Sequence, residues 1–73
     1  MNEPQKEYLR KFGIHLAQLR KKKNLSLRKL ALNCDLEYAD IQRYEKGEIN
    51  MTFVTLTELA KGLEIPLREL MDF

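Results

Sequence analysis

Residues 25–47, LSLRKLALNCDLEYADIQRYEKG, contain two short runs of apolar residues at helical spacing, with only Asn33-Cys34-Asp35 between them. Ser26 is a favourable N-cap before the first run, and Gly47 is a typical stop after the second. Helices of about two turns are marginal in water, so we expect both to be held at a tight corner by packing on the rest of the chain. The expected inward positions are Leu27, Leu30, Ala31, Ile41 and Tyr44.

Outside this segment the sequence predicts three more helices and no strand, because apolar residues recur every three or four positions and alternating runs are missing. The predicted helices 1 to 5 cover about residues 4–22, 26–33, 37–46, 53–63 and 66–72. Gly62 is expected to weaken the last turn of helix 4 slightly. We predict one all-α domain over residues 1–73. The buried stripes of helices 1, 4 and 5 are predicted to be Leu9, Phe12, Leu16 and Leu19; Leu56, Leu59, Ala60 and Leu63; and Leu67, Leu70 and Met71.

Composition argues against several classes of protein. No apolar run approaches the roughly 20 residues that cross a bilayer, and the beginning MNEPQKEYLRK has no apolar core of a signal peptide. Cys34 is the single cysteine, which leaves no internal disulfide or four-ligand zinc site and fits a reducing cytoplasm. No nucleophile with a base and no glycine-rich phosphate loop occurs. We therefore expect no enzyme activity, no cofactor, no metal and no small-molecule ligand.

Charge is distributed unevenly along the chain. Residues 1–23 have a net charge of +5, residues 24–47 are neutral and residues 48–73 have a net charge of −3. A basic front and an acidic rear suit a one-sided encounter with a polyanion. An equally acceptable interpretation is a helix with a solvated Lys/Arg face.

Four stretches, taken in order, resemble a known family: GIHLAQLRKKKNLS, LRKLA, IQRYEKGEIN and TLTELAKGLEIPLRELM. Over about residues 13–71 the chain is similar to the Cro/cI-type phage repressors, also called the xenobiotic-response-element type. The resemblance implies a five-helix fold with a helix-turn-helix at about residues 26–46. It also implies a sequence-specific regulator that binds double-stranded DNA as a dimer, with helix 3 in the major groove.

The resemblance assigns roles to particular positions of this sequence. Arg20 and Glu45 match an architectural ion pair. Apart from the resemblance, Lys29 and Arg28 are cations that can neutralise phosphates, or each can be a solvated surface charge. Leu27 stands where the family usually has Gln at the start of helix 2, which removes a common polar contact to DNA. The positions that face the groove in the family are Tyr38, Ala39, Gln42 and Arg43. The positions that touch phosphates in the family are Ser26, Lys46 and Asn50.

Side-chain chemistry supports some of these roles and leaves others open. Arg43 can bind guanine through O6 and N7, or only a phosphate, and Gln42 can pair with adenine. Tyr38 can touch a thymine methyl or a phosphate, or pack on helix 2 instead. Glu37 and Asp40 are interpreted as caps or first-turn charges, although either could accept from cytosine N4 or repel the DNA backbone.

We therefore interpret the chain as a DNA-binding transcription regulator, a repressor or controller, that acts as a homodimer. The alternative is a protein-interaction module, such as a toxin-neutralising partner, with weak or no DNA binding. A third interpretation is a fragment of a larger regulator whose ligand domain lies elsewhere. The candidates for the dimer interface, which could instead complete the core of the monomer, are Ile65, Leu67, Met71 and Phe73.

Overall fold

A computed structural model describes residues 1–73 as five helices without a strand. Helix α1 spans Glu3–Lys22, α2 spans Leu27–Asn33, α3 spans Tyr38–Lys46, α4 spans Phe53–Leu63 and α5 spans Leu67–Leu70. The predicted all-α, five-helix architecture is confirmed. None of the five helices combines the length and the apolar character that crossing a membrane requires.

Polar side chains at the helix starts explain where the helices begin. Asn2 and Gln5 form a capping box at α1, each side chain accepting the other residue's backbone N–H at 3.0 Å. The Ser26 hydroxyl caps α2 by accepting the backbone N–H of Lys29, and the Thr52 hydroxyl caps α4 by accepting that of Thr55. Gly47 ends α3 with a φ of 71°, a conformation that glycine adopts without steric cost.

Helix α5 is shorter than predicted. Pro66 is its N-cap and not its first helical residue, and the last helical residue is Leu70. After Leu70 the chain tightens into a turn in which the N–H of Asp72 binds the carbonyl of Glu69 at 3.3 Å. The prediction of Met71 as an inward residue is wrong, because its side chain is 42% exposed in this turn.

The core lies at the centre of the bundle and draws on every helix. Leu9, Leu56 and Leu67 were predicted to be buried and are half-buried at its edge. α1 packs on α3, α2 on α3 and α4, and α5 on α4 and α1, so the two short central helices stand on a platform made by the other three. The buried residues are Phe12, Leu16, Leu19, Leu30, Ile41, Tyr44, Leu59, Ala60, Leu63 and Leu70.

Two glycines permit close approach of helices. A Cβ at Gly13 would lie 2.6 Å from the carbonyl oxygen of Tyr44, so α3 reaches the backbone of α1 only because this residue has no side chain. A Cβ at Gly62 would lie 2.9 Å from Cδ1 of Leu30, which lets α2 approach α4. Gly62 therefore has a packing role that the sequence did not indicate.

Substitution of Gly13 by alanine tests this packing. Alanine ordinarily stabilises a helix interior relative to glycine by roughly 0.5–1 kcal/mol. Here we expect the opposite sign, a loss of about 1–3 kcal/mol, because the methyl group meets backbone that cannot move aside. Urea denaturation measures the effect, and Gln18→Ala on the exposed face of α1 is the control. A stabilised Gly13→Ala protein would show that α1 and α3 are not in close contact.

Candidate nucleic-acid interface

The end of α2 and the turn that follows it are tied to α4 by two hydrogen bonds. The side-chain amide of Asn33 donates to the carbonyl of Gly62 at 3.4 Å, and the backbone N–H of Asp35 donates to Oε1 of Glu58 at 3.1 Å. Both partners belong to α4. Since each bond joins the turn to a different point on α4, the angle between α2 and α3 is set by the bundle and not by the turn alone.

An ion pair fixes α3 against α1. Nε of Arg20 donates to Oε2 of Glu45 at 2.6 Å and Nη2 donates to Oε1 at 3.0 Å, which is a bidentate arrangement. Nη1 of Arg20 also donates to the carbonyl of Leu25 at 2.8 Å. The two side chains are only 12% and 11% exposed, and the hydrogen bond that Arg20 donates to Glu45 raises the pKa of Arg20 against the effect of burial. The ion pair thus joins α1 to α3, and Arg20 also joins both helices to the segment that precedes α2.

The outer face of α3 consists of Tyr38, Ala39, Gln42, Arg43 and Lys46. Ala39, Arg43 and Lys46 follow one another at spacings of four and three residues and are exposed, whereas Tyr38 and Gln42 flank them and are half-buried. The inward residues of the same helix are in the core. All four predicted base-contacting residues therefore lie on one side of α3, and two of them, Ala39 and Arg43, are turned away from the bundle.

Two of these side chains already have partners within the protein. The guanidinium of Arg28, on α2, lies over the ring of Tyr38 with Cζ 4.9 Å from the centroid. Tyr38 therefore has one contact to α2, through the face of its ring. Nη1 of Arg43 donates to Oδ1 of Asp40 at 3.4 Å. Asp40 lies in the first turn of α3 as predicted, but its carboxylate is turned toward Arg43.

Glu37 does not have the capping role that the sequence suggested for it. It occupies the N-cap position of α3, yet its side chain accepts no backbone hydrogen bond there. The longer glutamate side chain is a poorer cap than the Ser, Thr, Asp or Asn that this position prefers. Glu37 instead adds an exposed negative charge beside the outer face of α3.

The predicted phosphate-contacting residues are accessible but spread over several elements. Arg28, Lys29 and Lys46 are exposed on α2 and α3. The Ser26 hydroxyl accepts the N–H of Lys29 at 3.1 Å, which leaves its own proton free to donate. Asn50 lies in the loop after α3, where its Oδ1 accepts the N–H of the next residue at 2.9 Å. The structure brings the first four near α2 and α3, with Asn50 separate from them in the loop.

The sequence of this helical bundle matches a known protein family. The family model described as helix-turn-helix matches residues 16–70, three quarters of the chain. The chain belongs to this family. The Cro/cI-type resemblance seen in the sequence is thereby confirmed, and the matched region contains the whole of α2, α3, α4 and α5.

Individual relatives agree with the family match. The control protein C.BamHI of Bacillus amyloliquefaciens is 35% identical over 63 residues, 85% of this chain and 78% of the relative. The crystal structure of the restriction-modification controller protein C.AhdI from Aeromonas hydrophila has 39% identity, a TM-score of 0.82, and coverage of 85% of this chain and 94% of that one.

The restriction-modification controller protein C.Esp1396I is similar in two solved structures. A single-residue variant has 25% identity and a TM-score of 0.83, with 89% of this chain and 82% of that one covered. The second is a tetramer of that protein with its natural 35-base-pair operator, at 23% identity and a TM-score of 0.77, covering 89% of this chain and 96% of that one. At 23% identity, the similarity to this second structure shows a shared fold and no more.

The dimer-interface candidates of this helix-turn-helix protein divide into two pairs. Met71 and Phe73 are 42% and 48% exposed, and both line an open apolar groove of about 170 Å³. Ile65 and Leu67 are half-buried and pack against the core, so they contribute to the monomer. The other residues that line the groove are Tyr8, Leu9, Phe12, Asn50, Met51 and Leu56.

Sequence reasoning did not single out several exposed apolar side chains, among them Leu32, which is 81% exposed, and three others. Tyr8, Phe53 and Val54 are 66%, 69% and 68% exposed. The available signal was their position off the helical stripes: Phe53 and Val54 begin α4 before its buried residues, and Tyr8 lies beside Leu9 and not on the stripe itself. Exposed apolar groups of this size mark surfaces that associate with other molecules when they cluster.

Other chemistry has little support in the structure. No group of three or more His, Cys, Asp or Glu side chains could hold a metal ion. The Sγ of Cys34 donates to the carbonyl of Leu30 at 3.1 Å. Burial, and to a smaller degree the charge of Glu58, raise the pKa of the Cys34 thiol, which disfavours the reactive thiolate.

Proposed function

We propose that this protein is a controller-type transcription regulator that binds a specific double-stranded DNA sequence as a homodimer, with α3 in the major groove. The observation that carries the proposal is the outer face of α3. This face presents Arg43, Gln42 and Lys46. The Arg20–Glu45 ion pair and the close contact at Gly13 hold the helix rigidly against the bundle. Arginine and glutamine are the side chains suited to guanine and adenine edges.

The relatives support the same function. C.BamHI is a control protein and C.AhdI a restriction-modification controller, and each matches 85% of this chain. C.Esp1396I, of the same fold, forms a tetramer on its operator. We infer that the present chain controls genes in the same manner, and that it is a regulator and not an enzyme. Because operator DNA is in the cytoplasm of a bacterium, we place the protein there.

We further propose the base and phosphate contacts. Tyr38, Ala39, Gln42 and Arg43 contact base edges, because they lie on the outer face of α3 or flank it. The exposed cations of α2 and the end of α3 lie where the DNA backbone would pass, and neutralising phosphates makes binding salt-dependent. The proposed phosphate contacts are Ser26, Arg28, Lys29, Lys46 and Asn50.

Dimerisation follows from the size of the site. One helix-turn-helix buries too little surface for tight specific binding, so a second copy on a second half-site is expected. We propose that Met71 and Phe73, with the apolar groove beside them, form the centre of the interface, since both are exposed and close to other apolar side chains. Ile65 and Leu67, the other two candidates, pack against the core and do not line the groove. All five helices share one core, so we treat residues 1–73 as a single domain.

Selection of random duplex DNA by the purified protein tests the proposal. We expect an enriched motif with two-fold symmetry or a direct repeat, and binding that weakens steeply as salt rises. Sedimentation velocity at micromolar protein concentration checks for the dimer without DNA.

Absence of any enriched motif at low salt would contradict the DNA-binding function. The alternative, a protein-interaction module such as a toxin-neutralising partner, would then be favoured by the acidic groups at the start of α3. A motif consisting of one half-site, together with a strictly monomeric sedimentation profile, would contradict the homodimer but not the binding of DNA.

A further inference from the structure

Asp40 is an acidic residue on a surface proposed to face DNA. Its Oδ1 accepts from Nη1 of Arg43 at 3.4 Å, and the two side chains are 40% and 55% exposed. No other protein group is bound to the Arg43 guanidinium. The contact is between positions i and i+3 of α3, so it needs no help from the rest of the fold to form.

The stability of the fold does not explain this arrangement. Exposed ion pairs on helices contribute little to folding, and a carboxylate in the first turn of a helix is favourable whichever way it points. For a surface that approaches phosphates, a negative charge is unfavourable. Asp40 therefore opposes the general attraction to DNA, and turning its carboxylate toward Arg43 adds little stability to the monomer in return.

The geometry of the guanidinium suggests what the contact provides. Arg43 has five N–H donors in a planar fork, and a free arginine on a helix surface samples many rotamers. A carboxylate bound at Nη1 limits that freedom and leaves Nη2 and the other N–H groups to donate outward. A bidentate contact with guanine O6 and N7 requires two such donors on one edge.

We propose that Asp40 determines specificity by orienting Arg43 toward guanine while its charge disfavours binding to phosphates alone. This inference rests on the proposed DNA-binding function. In this role Asp40 is a positioning residue, because it acts on DNA through Arg43. Discrimination between sequences depends on penalties against wrong sites as well as on contacts with the right one. The charge of Asp40 supplies the penalty, and its contact with Arg43 improves the contact with the right site.

The test compares Asp40→Asn with Glu37→Gln, each alone and with Arg43→Ala. Both substitutions remove one negative charge from the start of α3 and keep the shape of the side chain, but Glu37 makes no contact with Arg43. Each protein is put through selection of random duplexes. Each is then titrated with its best duplex and with a scrambled duplex of equal length. Circular dichroism melting checks that all variants are folded.

We expect Asp40→Asn to bind scrambled DNA more tightly and to lose about fivefold or more of its preference for one base pair, the low end for a bidentate contact. That base pair should be the one that Arg43→Ala also blurs. Glu37→Gln should raise scrambled-DNA affinity but keep the base preference. In the Arg43→Ala background, Asp40→Asn should leave the motif unchanged.

Two outcomes would overturn the inference. An unchanged motif in Asp40→Asn would mean that Asp40 does not orient Arg43. A loss of preference at a different base pair, persisting in the Arg43→Ala background, would mean that Asp40 contacts its own base, such as cytosine through N4. If the wild-type protein selects no motif, the DNA-binding function itself is wrong, and this inference is wrong with it. If the wild-type protein selects a motif that Asp40→Asn leaves unchanged, only this inference is wrong.

Discussion

Replacing Glu45 with alanine is expected to lower the free energy of unfolding by about 3 kcal/mol, the low end for removing one member of a buried ion pair, because both side chains of this pair keep about a tenth of their surface exposed. The guanidinium of Arg20 would lose both hydrogen bonds to Glu45 while staying almost covered. A domain of this length has a total stability of roughly 4–11 kcal/mol. Glu45→Ala should therefore lose a large share of this stability, as urea denaturation followed by circular dichroism would measure.

The pair between Arg10 and Glu7 is the matched control. Its shortest N···O distance is 2.8 Å, but both side chains are about half exposed. Glu7→Ala should hardly change the midpoint of unfolding, because solvent screens exposed pairs. The double variant Arg20→Met/Glu45→Leu should recover much of the stability that Glu45→Ala loses, since no buried charge is left unpaired. Equal, small effects of Glu45→Ala and Glu7→Ala would contradict the structural role of the Arg20–Glu45 pair.

Replacing Arg43 with alanine is expected to weaken binding of the selected operator by about thirtyfold or more. A bidentate contact to guanine gives about 1–3 kcal/mol of discrimination, and a homodimer makes the contact once in each half-site. The motif should blur at one base pair per half-site. Arg43→Lys should lose nearly as much preference, because an ammonium group keeps the charge but cannot form the planar two-donor contact. Fluorescence anisotropy with labelled duplexes measures both.

Lys46 provides the control for a contact that is purely electrostatic. It is exposed on the same face of α3, so Lys46→Ala should weaken all sequences equally. It should also reduce the slope of log K against log salt by about one per subunit. If Arg43→Ala behaved in this same way, with its motif intact, Arg43 would be a phosphate contact and not a base contact.

The helices were predictable because each one is encoded locally. Polar caps such as Ser26 and Thr52 and the stop at Gly47 are next to the apolar stripes that they delimit. Prediction failed at α5, where a four-residue helix has too few internal hydrogen bonds to set its own end. The exposure of Met71 follows from that end and could not be obtained from the apolar pattern.

The candidate interface was predictable in its membership but not in its contacts. Helical spacing and the family resemblance together put the four base-contact candidates on one side of α3. The contact of Asp40 with Arg43 depends on a choice of rotamer, which spacing allows but does not determine. The support of the turn by Glu58 comes from a residue 23 positions away. Contacts of that range are set by tertiary packing.

The two sides of α3 are under different constraints, and this bears on how such a regulator diverges. Ile41, Tyr44 and Glu45 are held by the core and by Arg20, so substitutions there endanger folding. Ala39 and Arg43 are exposed and contribute almost nothing to the monomer. A lineage can therefore acquire a new target sequence through single substitutions, with every intermediate still folded.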